Sequence, residues 1–350
     1  MLHEPARSSL QYSGGPTSAE VLPLKSSITD RKVQTIPVKT RSFPSEITLR
    51  QFEFPERSWP PQSSDSKDNR LYHVARLWKR GRRLELACAL HLSHAHLGIP
   101  KAVSLVAEAG FDALEISPWI PRRLGRADIN NLRTSLQRNY LAFSGFTSLY
   151  PPEMILASPS GASRSENILY TKRLIELAGS LGGKLLVWGS GRSRNIPKDV
   201  PFRKGQAWLV ELLRASGDVA DQVGVKIAIE PLNRFESTII HNVREALSLA
   251  QLVNQRSVGV VYDTFHTSLE EDSFTKPILL ASERLAAVHI SDCNRKIPGR
   301  GHIDFAPIFD ALKKVGYDGY VTLEAILSRN PRHDLVAARK YMEDMIDQKE

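Results

Sequence analysis

Four short apolar runs in the second half of the chain each finish in a side chain that can bind a metal ion. VKIAIE ends at Glu230, VGVVYD at Asp263 and YVTLE at Glu324, while AAVHI carries His289 beside its last residue. Three carboxylates and one imidazole are a donor set for a single divalent cation of intermediate hardness; Mn²⁺, Co²⁺ and Mg²⁺ fit it, and Zn²⁺ is not ruled out by the donors. Such a centre polarises a carbonyl, and a ligating carboxylate keeps a free oxygen for proton transfer. One strand-end carboxylate is often merely solvated. Recurrence in successive runs carries the argument, because burying three carboxylates together without a cation is costly.

Each ligand candidate but the last has a companion a few residues on. Glu236 follows Glu230 in EPLNRFE, His266 follows Asp263 in DTFH, and Arg295 follows His289 in HISDCNR. These fall in loops just past the runs, where substrate-binding side chains concentrate.

The elements that must position these residues repeat one theme. An apolar-periodic helix ends at a glycine and a short apolar run follows, as in LVAEAG–FDALEI, ELAGSLGG–KLLVWG, VADQVG–VKIAIE and ALKKVG–YDGYVTLE. Glycine just past a helix end adopts the left-handed conformation cheaply. The runs lack polar alternation, as expected for strands covered on both faces. Strands are predicted at 86–91, 112–116, 140–144, 184–188, 225–230, 258–263, 286–290 and 320–324, and helices at 98–109, 166–181, 206–223, 242–253 and 304–315. Residues 118–139 give no clear pattern. Eight strands alternating with helices imply a parallel sheet closed as a (β/α)₈ TIM barrel spanning 84–350. In that architecture strand C-termini converge on one rim, so ligands far apart in sequence meet in space.

The chain has 350 residues, 41% of them hydrophobic and 24% charged, the profile of an ordinary globular domain. Of the net charge of +9, +7 belongs to residues 1–83, where 15 Lys/Arg face 8 Asp/Glu, which leaves +2 for the body. Those first 83 residues also hold 8 of the 21 prolines and read as a disordered, basic, linker-like N-terminal extension. A targeting segment or a misassigned start are the other readings of it. A nearly neutral body argues against a nucleic-acid partner, and no apolar run is long enough to span a membrane. The two cysteines, Cys88 and Cys293, support neither a disulfide framework nor a thiolate zinc site, and a reducing, cytoplasmic location is expected.

EPLNRFE, DTFHTSLEE, HISDCNRKIPGRGHIDF and the glutamate of VTLEA together resemble the ketose 3-epimerases, the D-tagatose and D-psicose 3-epimerase group of the xylose-isomerase-like barrels. HISDCNRKIPGRGHIDF also resembles the broader sugar-phosphate isomerase/epimerase group. The resemblance spans roughly 84–345, with its sharp motifs after residue 225. It implies that Glu230, Asp263, His289 and Glu324 hold one divalent metal, usually Mn²⁺ or Co²⁺, and that Glu236, His266 and Arg295 hold the carbonyl end of a small-molecule sugar. A homodimer or homotetramer is implied in the same way. Asp292 departs from the pattern, standing where those epimerases carry glutamate. On this reading Glu230 and Glu324 are the catalytic pair. One removes the proton on carbon 3, next to the ketone, and the other returns a proton to the opposite face.

Other features are assigned more modestly. Glu115 closes the second strand and is expected to touch substrate. His91, His94 and His96 read as a polar rim loop in preference to a metal triad. The loop GSGRSRNIP at 189–197 could cradle a phosphate through its glycines and Arg192 or Arg194. Cys293 reads as a space-filler. Rival readings on the same barrel are an aldose–ketose or hydroxypyruvate-type isomerase, an inosose-type dehydratase, a non-catalytic binding protein and an apurinic-site endonuclease. The last needs further histidines for additional metal ions, and residues 97–240 contain none.

Overall fold

The computed structural model describes residues 84–90, 97–119 and 124–347. The extension 1–83 and the histidines His91, His94 and His96 lie outside the described residues.

Eight parallel strands close into a barrel: β1 (Glu85–Ala89), β2 (Ala113–Ile116), β3 (Ala142–Phe146), β4 (Leu185–Trp188), β5 (Lys226–Ile229), β6 (Val258–Asp263), β7 (Leu285–Ile290) and β8 (Tyr320–Leu323). Each strand pairs with the next, and β8 returns to β1 through Glu85 opposite Tyr320. The strand assignments stand within a residue or two. The largest shift is at β3, predicted from residue 140. Tyr140 is instead the left-handed cap (φ 52°) of the preceding helix, so the strand starts later.

Alternation along the strands builds two cores. Leu186, Trp188, Ile227, Ile229, Val260, Tyr262 and Val288 point outward and join the core beneath the helices. The intervening residues Leu185, Val187, Ala228, Val261 and Ala287 form a separate cluster, which is the filled barrel interior. The period of two then dictates what stands above that plug: Gly189, Glu230, Asp263 and His289 lie two residues beyond Val187, Ala228, Val261 and Ala287. A register shift between Val260 and Val261 sets Asp263 directly opposite His289.

The helices start and stop by ordinary capping chemistry. Ser160 accepts from the Ser163 amide to begin Gly161–Ser180, and Asn242 does the same from Glu245 to begin Val243–Val253. Gly224 ends Phe202–Val223 at φ 71°, a conformation that favours glycine. Two of the longer helices went unread in the sequence, Arg126–Asn139 and Pro331–Asp347. The first buries only Leu132, Ser135 and Leu136, too narrow an apolar stripe to stand out. The second spends one buried position on Arg339, whose Nε donates to the Gly110 carbonyl at 2.9 Å. No helix among the described residues is long and apolar enough to cross a membrane.

Candidate active site and metal centre

The C-terminal ends of β5 to β8 bring Glu230, Asp263, His289 and Glu324 together. One ligand atom from each lies within 4.8 Å of the others, and all four side chains are buried. Nδ1 of His289 faces the cluster, 3.4 Å from Glu230 Oε1 and 3.2 Å from Glu324 Oε2. Asp263 divides its two oxygens. Oδ1 accepts from the His266 amide at 2.9 Å and so caps helix Thr264–Glu270, while Oδ2 is buried without a hydrogen-bond partner. Glu230 Oε1 is buried without one as well. Orphaned carboxylate oxygens converging with an imidazole nitrogen are what a divalent cation requires, and the residues therefore fit a metal ion.

The electrostatics follow from that crowding. Burial raises the Glu230 carboxyl above its ordinary range, with Glu324 adding to the effect against His289. Burial also lifts Asp263 to about 6, against the pull of Arg295. Burial alone would depress the His289 imidazole, yet the carboxylates of Glu115 and Glu324 hold it well above its usual value. The cluster thus draws in positive charge, whether proton or cation.

The three companions gather at the same rim. The Asn233 amide donates to His266 Nδ1 at 3.1 Å, and burial with the neighbouring Arg295 lowers that imidazole to about 4. His266 is therefore neutral, with its proton on Nε2. Arg295 Nη1 lies 3.2 Å from that Nε2, and Arg295 Nη2 donates to Glu324 Oε2 at 3.1 Å. The guanidinium also stacks 4.5 Å from the Phe265 ring centroid. Glu236 Oε1 accepts from Asn233 Nδ2 at 2.9 Å, which joins it to the same network.

Arg295 owes its place to Asp292. That carboxylate accepts from the amides of Cys293, Gly299, Gly301 and Ile303 at 2.9, 3.0, 2.7 and 3.2 Å. The Asp292 carbonyl accepts from the Arg295 amide at 2.8 Å. The loop wraps so tightly on the carboxylate that a Cβ at Gly301 would collide with Asp292 Oδ1. Asp292 is thus the hub of the loop that presents Arg295.

Two residues take up positions behind the rim. Glu115, assigned to substrate contact, is fully buried, and its Oε1 lies 3.2 Å from His289 Nε2, on the side of the ring away from the carboxylate cluster. Arg194, offered as a phosphate ligand, turns inward. Its guanidinium donates to the carbonyls of Trp188, Glu230 and Ile240 and lies over the Trp188 ring at 5.5 Å. The loop builds the wall beneath Glu230 and has no buried arginine left for an anion. Sequence reading missed Asn233 and Gly189; the only signal for either was its place beside a strand-end ligand or at a strand end.

The model of the xylose isomerase-like TIM barrel matches residues 103–345. The chain belongs to that family. Within this xylose isomerase-like group, a D-psicose 3-epimerase of Ruminiclostridium cellulolyticum is 34% identical to the chain over 230 residues, which cover 63% of this chain and 76% of that one. An L-ribulose 3-epimerase of a Methylomonas species is 30% identical over 237 residues, 66% of this chain and 79% of the relative. A solved structure of D-psicose 3-epimerase with D-tagatose, from Clostridium cellulolyticum, superposes with a TM-score of 0.67 at 25% identity, covering 76% of this chain and 100% of the other. These relatives are sugar epimerases, and the expected barrel and family both hold.

Proposed function

We propose that this barrel is a metal-dependent ketose 3-epimerase. The observation that carries the reading is the convergence of Glu230, Asp263, His289 and Glu324 within 4.8 Å, with two hydrogen-bond donors, His266 Nε2 and Arg295 Nη1, side by side at 3.2 Å on the same rim. The relatives named as psicose and ribulose 3-epimerases support the substrate class.

The proton on carbon 3 of a ketose is weakly acidic because the enediolate left behind is stabilised by charge. A cation held by Glu230, Asp263, His289 and Glu324, Mn²⁺ or Co²⁺ by the resemblance to the ketose 3-epimerases, would supply Lewis-acid polarisation of the ketone. The chain's own groups do the rest. Neutral His266 and cationic Arg295 offer two donors to one oxygen, an arrangement that stabilises developing oxyanion charge. Glu230 and Glu324 close separate sectors of the rim, from β5 and β8, and each keeps an oxygen for acid–base work. One takes the carbon 3 proton and the other delivers a proton to the opposite face, each step contributing roughly 10²–10⁴-fold. Glu236, tied to Asn233, would hold a sugar hydroxyl.

The test is to incubate Mn²⁺-loaded protein with a panel of free ketoses in heavy water and follow the carbon 3 proton by NMR. Exchange of that proton with appearance of the 3-epimer is the expected result. Exchange at carbon 1 would replace the reading with an aldose–ketose isomerase, and dehydration of a cyclic inosose would replace it with a dehydratase.

A further inference from the structure

Glu115 is a carboxylate that the proposed mechanism does not use. It lies in β2, on the interior face of the barrel, two residues beyond the buried Ala113. Among the described residues neither of its oxygens has a hydrogen bond, and both are sealed from solvent. Its one polar neighbour of note is Nε2 of His289, 3.2 Å from Oε1. Nδ1 of the same ring looks the other way, at Glu230 and Glu324. The imidazole therefore stands between a carboxylate behind it and a carboxylate cluster in front.

An imidazole can ligate through Nδ1 only if that nitrogen is unprotonated, which requires the ring proton to reside on Nε2. Left alone, a neutral imidazole in this site could place its proton on either nitrogen, and the carboxylates of Glu230 and Glu324 would favour Nδ1, the wrong one. A buried anion facing Nε2 reverses that preference, because an Nε2–H next to a carboxylate is charge-assisted while two lone pairs facing each other repel. The same contact restrains rotation of the ring. Burying a carboxylate without hydrogen bonds is costly on its own, and the anion is tolerated where the imidazole N–H, with a cation beyond it, compensates.

We infer that Glu115 is a positioning residue which holds the His289 ring with its proton on Nε2 and its Nδ1 lone pair toward the carboxylates, and thereby sets the affinity of the centre for its divalent cation. The inference rests on the metal-centre reading above. It differs from a substrate-binding role for Glu115 in what it leaves alone: the sugar does not touch this residue.

The experiment compares the intact chain with Glu115→Gln and Glu115→Met. Affinity for Co²⁺ is measured by competition with a chromophoric chelator, and the visible absorption of bound Co²⁺ is recorded, with far-UV circular dichroism and chelator-treated melting curves as folding controls. Loss of an outer carboxylate on a ligating histidine costs about 10–100-fold in metal affinity. Glu115→Met should show that loss and an altered Co²⁺ band. Glu115→Gln, which retains an acceptor oxygen of the same reach, should recover part of the affinity. Wild-type Co²⁺ affinity in both variants, with a raised KM for the sugar, would overturn the inference and return Glu115 to the substrate. No Co²⁺ binding by the unmodified chain would overturn the metal reading itself, and the inference with it.

Discussion

Gly189 lies so close beneath Glu230 that a Cβ added to it would collide with the Oε2 atom of that carboxylate. Gly189 follows β4 on the interior face and is kept bare so that the Glu230 carboxylate can lie across it. Gly189→Ala should push that carboxylate aside while the barrel still forms. A displacement of about 1 Å in a catalytic group can cost roughly 10²-fold in rate, so kcat should fall by about that factor with an unchanged circular dichroism spectrum.

Glu324→Gln should remove activity and leave the fold intact. The amide keeps the shape of the side chain but loses the charge that pairs with Arg295 at 3.1 Å and the basicity that accepts a proton. Deuterium exchange at carbon 3 should drop by about 10²-fold or more. A variant as active as the parent chain would remove one of the two carboxylates from the scheme.

Asp263→Asn should separate metal binding from folding. An asparagine oxygen can still accept the His266 amide and cap helix Thr264–Glu270, but the charged Oδ2 is gone. In the parent chain, Mn²⁺ at 100 times its Kd should stabilise the fold by about 2.7 kcal/mol. Differential scanning calorimetry with and without chelator should show that increment in the parent and little of it in Asp263→Asn.

Arg194→Met should destabilise the protein while leaving all four metal-ligating side chains in the sequence. Burial lowers the Arg194 pKa to about 10, so the guanidinium stays charged at neutral pH, and its hydrogen bonds to the Trp188, Glu230 and Ile240 carbonyls are charge-assisted. Hydrogen bonds of that kind contribute about 1.5–3 kcal/mol each. Urea unfolding should show a loss of at least about 3 kcal/mol.

Asp292 makes a prediction about acid. Burial pushes its carboxyl upward, but the amides of Cys293, Ile303 and Gly301 outweigh that and hold it below its ordinary value of 3.8. A depressed carboxyl stabilises the fold above the unfolded value and loses that contribution as pH falls through the folded one. Melting temperatures of the parent chain and Asp292→Asn should therefore differ by a constant amount above about pH 4 and converge in stronger acid. Because the loop carries Arg295, the variant should also show a raised KM at neutral pH.

The legible part of this chain was its strand ends. An interior-facing position one step above the barrel plug must be filled by something, and Glu230, Asp263, His289 and Glu324 announced themselves by interrupting apolar runs. What stayed hidden depends on direction and depth. Glu115 comes at the end of its strand much as Glu230 does, and nothing in the string of residues tells a carboxylate that reaches the rim from one that stops behind an imidazole. Arg194 sits in a glycine-flanked loop typical of anion sites, and only packing against Trp188 turns it inward. Gly189 reads in the sequence as one glycine of a phosphate loop and is a clearance in three dimensions. Helix Arg126–Asn139 failed for a simpler reason, since its mostly polar surface carries too little apolar period.

The closed strand order has one further consequence. Every member of the metal cluster comes from β5 to β8, and its companions come from the loops after β5, β6 and β7, while β1 to β4 contribute Glu115 from behind and Gly189 as empty space. The reactive half of the ring is thus a contiguous stretch of chain, from Lys226 to Glu324, and the other half reaches the chemistry by leaning on it, through Glu115 against His289 and through Gly189 and Arg194 against Glu230.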